Sequence, residues 1–323
     1  GKIEEFASAQ PFPLTDLLVN PKDGAMYVAV GGRKVQSGLY RITYEGKEST
    51  ATAKPEVGGE EARKRRQALE SFVQREAKPA NKNQLNKIWS SLAAQDRGIR
   101  HAARVALEKQ PVKKWKGRLT SEKSPTAASA AMIALARADA TSGETVLQKA
   151  MTFKYRDLKS RQQKLDLLRS ITLALTRGGQ PAEEQKGKLI AWLDQIYPAS
   201  TPEENRDLSA IMQFLQAPSA ARKGMALLRG ASGQEEQIGY ALNLRHLKTG
   251  WTSLLRESYF KWFVRAGSFK GGARLSNYLD GIKKDAIATI DERHMTLDLK
   301  KIIDTKPQSS APQFTLEPRT FVK

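Results

Sequence analysis

Two periodicities divide this chain. Between residues 12 and 46 the apolar residues come in short extended blocks, Leu17-Leu18-Val19, Met26-Tyr27-Val28-Ala29-Val30 and Leu39-Tyr40-Arg41-Ile42-Thr43-Tyr44. Blocks of this length, rich in β-branched and aromatic residues and bounded by turn-formers, predict strands. Asn20-Pro21-Lys22-Asp23-Gly24 predicts the first turn, because Asp-Gly tolerates the positive φ that a tight turn demands. An isolated hairpin is marginal in water, so the three strands need a surface to pack on. Three strands in so short a stretch resemble most of one β-propeller blade, which normally has four.

After residues 50–61, rich in Ala, Thr, Pro and Gly and predicted to be a linker, the spacing changes to three and four. Leu85, Ile88, Trp89 and Leu92 fall on one helical face, as do Ile99, Ala102, Ala103, Ala106 and Leu107. Later stripes are Leu208, Ile211, Met212 and Leu215, then Leu275, Tyr278, Leu279, Ile282, Ala286 and Ile290. Breaks fall at Lys78-Pro79, Gln110-Pro111, Ser124-Pro125, Gly178-Gly179-Gln180-Pro181, Pro198 to Pro202 and Gly230 to Gly233. Thr201-Pro202-Glu203-Glu204 predicts a capping box with proline at the first helical position, and Ser232 with Glu235 repeats the spacing. Short amphipathic helices joined by Pro/Gly turns predict stacked helix pairs, an α-solenoid. The best single unit is "DRGIRHAARVALEKQP", in which Asp96 caps, Ile99, Ala103 and Leu107 face inward and Pro111 stops the helix; it resembles a HEAT repeat. The predicted class is mainly α: a partial blade in residues 1–49, a HEAT-like helical region in 62–303 and an extended tail in 304–323.

Charge narrows the partners without changing the fold. The formal net charge of +20 favours acidic partners such as nucleic acid, an anionic membrane surface or an acidic protein. Residues 60–119 hold 16 Lys/Arg against 6 Asp/Glu, half of the excess. A basic patch of Arg63, Lys64, Arg65, Arg66, Arg97, Arg100 and Arg104 could track phosphates, or these side chains are simply the solvated faces of helices. Few aromatics accompany them, chiefly Phe72, Trp89 and Trp115, which argues against stacking on bases.

The densest aromatic stretch lies between residues 239 and 286. Burying one ring removes ~200 Å² from water, about 5 kcal/mol as an upper bound, against about 1 kcal/mol for an exposed ion pair. Trp251, Arg256, Tyr259, Phe260 and Trp262 are therefore either the packed terminal cap of the helical region or an exposed interaction surface. The absence of cysteine excludes disulfides, thiol nucleophiles and cysteine zinc sites. His101, His246 and His294 share no ligand spacing, and no phosphate-binding glycine loop is present. No apolar run reaches the roughly 20 residues that span a bilayer. No catalytic, cofactor-binding or metal-binding residue is assigned.

The order "DLLVNPKDGAMYVAV", "GLYRITYEG", HEAT-like helices and then "ALNLRHLKTGWTSLLRESYFKWFVRAGSFKGGARLSNYLDGIKKDA" resembles the PVC-type membrane-bound dehydrogenase-like, haem-binding proteins. In that family a propeller similar to sorbosone or glucose dehydrogenases precedes the helical repeats, and a c-type cytochrome domain follows them. The resemblance covers nearly all of residues 12–300, and the stretch from Gly250 to Gly272 is its most specific part. It implies that the chain, which opens on Gly1, carries the last blade of a longer propeller. The implied partners are the other blades and the cytochrome domain, in the periplasm or cell envelope. The implied cofactors are haem c and, at the propeller, a quinone such as PQQ, none of them in this chain. The implied role is a non-catalytic helical spacer in a sugar or alcohol oxidoreductase. The alternatives are a HEAT-type nucleic-acid-binding protein using residues 60–119 and a protein-interaction scaffold.

Overall fold

A computed structural model describes residues 5–8, 12–32, 35–49, 58–74, 76–272 and 274–306. The chain divides into two compact units, residues 1–59 and 60–323. In the first, strands β1 (Leu14–Val19), β2 (Met26–Gly32) and β3 (Val35–Ile42) form an antiparallel meander in the order β1-β2-β3. Leu18 pairs with Tyr27 and Val28 with Tyr40. The predicted first turn is present: Gly24 sits at φ 66° and Asn20 accepts the Lys22 N–H at 3.0 Å. Asp23 accepts hydrogen bonds from the Ala25 N–H and the Tyr27 hydroxyl, and these hold its carboxyl below the usual range. The third strand begins at Val35 and ends at Ile42, not Tyr44, and the first already begins at Leu14. Its partner across the ladder, which no local propensity reveals, sets each limit.

The second unit holds fourteen α-helices among the described residues. Its first half comprises α1 (Glu60–Glu70), α2 (Lys82–Ser91), α3 (Arg97–Glu108), α4 (Lys116–Ser121), α5 (Pro125–Ala138), α6 (Gly143–Met151) and α7 (Arg161–Gly178). The second half comprises α8 (Glu183–Asp194), α9 (Pro202–Phe214), α10 (Ala220–Gly230), α11 (Gln234–Leu244), α12 (Ser253–Ala266), α13 (Leu275–Ile287) and α14 (Leu297–Asp304). The odd-numbered helices touch in succession from α1 to α13, and each even-numbered helix from α2 to α12 packs on the odd one that follows it. Helix begins at Glu60 and runs to Asp304, so the helical unit is longer at both ends than the 62–303 predicted. Residues 50–57 of the expected linker and 307–323 of the expected tail lie outside the described residues.

The helix starts follow local chemistry. Asp96 accepts the Ile99 N–H at 2.8 Å, and Ser124 and Thr201 cap α5 and α9 with proline at the first position. Ser232 does not cap α11: the helix starts at Gln234, so Gly233 is the N-cap and Glu235 falls one position short of the box. Asp96→Ala should therefore cost about 1 kcal/mol, whereas Ser232→Ala should stay within about 0.5 kcal/mol, both read from urea unfolding midpoints.

One apolar core runs from Leu69 to Leu299. It takes the predicted faces of α2, α3 and α9, but Tyr278 is exposed and Ile290 lies beyond the end of α13. At the entry to α12 the chain must turn tightly. Gly250 has φ 72° there, and a Cβ on it would lie 2.0 Å from the Pro218 carbonyl oxygen, so only glycine fits.

Candidate functional site

The structure separates the basic residues into distinct environments. Arg63 and Lys64 are exposed on α1. Arg66 pairs with Glu70 at 3.2 Å. Arg65 donates to the Ser91 hydroxyl at 3.0 Å and borders a groove shared with Leu69, Phe72 and Lys87. Arg97, Arg100 and Arg104, one helical turn apart on α3, line a different depression of about 190 Å³. His101 joins them from α3, Thr126 and Ile133 from α5, and Gln162 and Asp166 from α7.

Within that depression the three arginines are not equivalent. Arg100 donates to the carbonyls of Ala94 and Gln95 at 2.7 and 2.6 Å, tying α3 to the chain that leads into it. Arg104 pairs with Glu108, which also accepts from Arg137 at 3.0 Å. Asp166 accepts from Gln162 at 2.8 Å. Arg97 is exposed and, among the described residues, has no ion pair or side-chain hydrogen bond. Its guanidinium, a planar fork of donors, is the one most available to an anionic partner.

The aromatic stretch resolves in favour of a core. Tyr259, Phe260 and Trp262 are buried, as is Arg256, while Trp251 is half-buried. Four of these five side chains are therefore interior and do not present an exposed docking surface: Tyr259 and Trp262 reach α11, and Trp251, which precedes α12, is the one left partly open. Their polar atoms are matched inward. The Tyr259 hydroxyl donates to the Ala241 carbonyl at 2.7 Å, Trp262 Nε1 to Gln237 at 3.0 Å and Trp251 Nε1 to the Leu247 carbonyl at 2.8 Å. Burial pushes the Tyr259 hydroxyl above its ordinary pKa. Arg256 lies 5.5 Å over the Trp251 ring; burial lowers its pKa and Asp291 opposes that.

A further polar cluster escapes sequence reasoning. Glu204, read there as the reciprocal half of a capping box, is buried between α7 and α9, with Lys164 Nζ 3.8 Å from its Oε1. Lys164 also lies 5.4 Å over the Tyr155 ring, which meets Trp192 edge-on at 6.4 Å. The Tyr155 hydroxyl and Glu204 Oε2 are buried without a hydrogen-bond partner. Burial first, then the Glu204 carboxylate, raises the Tyr155 pKa, so the phenol stays protonated. Burial likewise raises Asp207, one turn along α9, and Arg206 and Arg169 oppose it. The signal was present: Glu204 continues the Leu208, Ile211, Leu215 stripe at helical spacing and therefore points inward.

No family model, curated protein or solved structure matches this chain. The three histidines remain apart. His101 borders the basic depression, His246 lies 3.7 Å from Asp285 and His294 3.6 Å from Asp291. Among the described residues no group of three or more His, Cys, Asp or Glu side chains is placed to hold a metal ion. No described helix is long and apolar enough to cross a membrane.

Proposed function

We propose that this chain is a structural spacer of a multidomain oxidoreductase, in which a HEAT-like α-solenoid follows the last blade of a β-propeller. The observation that supports this reading most is the two-sided exposure of β1. Successive strand residues point to opposite faces, yet Leu17 and Leu18 are 51% and 66% exposed. Leu14 and Val19 in β1 and the consecutive residues Leu39 and Tyr40 in β3 are exposed as well. A sheet with one solvated face alternates apolar and polar residues, whereas one covered on both faces reads as a continuous apolar run. A propeller blade is covered on both faces by its neighbours. The succession of odd-numbered helix contacts, each flanked by an even-numbered helix, fits a stacked repeat whose rigidity would hold two redox modules at a set separation.

A c-type haem is attached through two cysteine thioethers, and this sequence contains no cysteine. The residues here do not fit that group, and it belongs, on this reading, to a following segment. Hydrogen exchange tests the proposal. The β1 amides should exchange rapidly in this chain and become protected in the longer polypeptide that contains the upstream blades. Unchanged exchange at β1 in the longer polypeptide would remove the blade assignment, and a longer polypeptide without a haem Soret band would remove the oxidoreductase.

A further inference from the structure

Independently of the oxidoreductase reading, we propose that the depression formed by α3, α5 and α7 binds an acidic peptide segment of a partner protein. Arg97 and Arg104 would receive its carboxylates and Ile133 its apolar neighbours. Three consecutive odd-numbered helices contribute to this depression, so it is a product of the stacking and not of one helix. Its rim is cationic. Its lining carries Arg97, Arg100 and Arg104 against one carboxylate, Asp166; Arg97 is unpaired among the described residues, and Arg104 is held by Glu108 and lies 3.2 Å from His101 Nδ1. Its floor is different: Ala130 and Ile133 are half-buried apolar residues that could cover the stem of a glutamate or an adjacent leucine. At about 190 Å³ the cavity admits a side chain or two, less than the roughly 300 Å³ at which small-molecule sites begin.

Charge spacing separates a peptide from nucleic acid. A duplex presents one charge per roughly 1.7 Å and is held by a dense cationic track. Here Asp166 lies inside the depression and Glu108 closes the end of α3, so a continuous phosphate chain would meet carboxylates. A peptide places its carboxylates farther apart, and its backbone N–H groups can donate to Asp166. Arginine forks pair with carboxylates through two parallel hydrogen bonds, which gives the contact geometric selectivity beyond net charge.

The probe is a fluorescein-labelled peptide in which Glu alternates with Leu and Ala, titrated with the full chain at low ionic strength and read by fluorescence anisotropy. Arg97→Glu should weaken binding at least tenfold, the loss of a charge-assisted contact. Arg63→Glu makes the same change in net charge on α1 and should alter binding less than twofold. A carboxylate at the first position of α3 suits the helix dipole, and the circular dichroism of Arg97→Glu should match that of the parent chain. Equal weakening by the two variants would show attraction to net charge alone and overturn the site. Absence of peptide binding would overturn it, as would tighter, Arg97-dependent binding of a duplex DNA probe.

Discussion

Phe260→Ala is expected to destabilise the helical unit by about 4 kcal/mol, the cost of deleting a large ring from a packed core. Phe260 is 1% exposed and its ring lies 5.5 Å from that of Tyr259 and 6.0 Å from that of Phe263. Those rings are held by the Tyr259 hydrogen bond to Ala241 and by the body of Trp262, so they cannot collapse into the space without losing contacts of their own. Leu254, on the same helix, is 75% exposed, and Leu254→Ala should change stability by no more than about 0.5 kcal/mol. Urea unfolding followed by circular dichroism distinguishes the two. A loss below about 1 kcal/mol for Phe260→Ala would mean that α12 does not bury the face assigned to it.

Lys164→Met should cost about 3 kcal/mol, because it strands the Glu204 carboxylate in the interior. Glu204 is buried, its Oε2 has no hydrogen-bond partner and its Oε1 faces the Lys164 ammonium at 3.8 Å. Removing that ammonium takes away the one ion pair found for this carboxylate among the described residues and leaves most of its desolvation penalty uncompensated. Adding Glu204→Leu to Lys164→Met should restore most of the loss, since replacing both members of a buried pair by apolar side chains is often close to neutral. The double-mutant cycle should show a coupling of 1 kcal/mol or more, roughly the range found between contacting residues. Additive effects would show that the two side chains do not interact across α7 and α9.

The outcomes differ between features that depend on near neighbours and those that depend on distant ones. Asp96, Ser124 and Thr201 act on backbone groups three residues away, and the Asp23-Gly24 turn closes on itself, so each was readable from a few letters. Ser232 shows the limit of such reading: a shift of one residue in the start of α11 removes the cap without altering any local propensity. Glu204 shows another, since a position that suits a capping box also continues an apolar stripe, and packing against α7 selects the second. The seven basic residues look like one patch in the sequence, but helix packing sends Arg65 to α2 and sets Arg97, Arg100 and Arg104 against α5 and α7.

Sequence alone determined the mainly helical class, the strand-rich head, the turns marked by proline or glycine and the apolar faces of α2, α3 and α9, because these follow from spacing and from hydrogen bonds between nearby residues. Tertiary structure decided that Tyr259, Phe260 and Trp262 are core, that the partner of the inward-facing Glu204 is Lys164 and that one depression gathers the α3 arginines. Those outcomes depend on which helix covers which face. That is set by contacts between residues tens of positions apart, which neither periodicity nor propensity encodes.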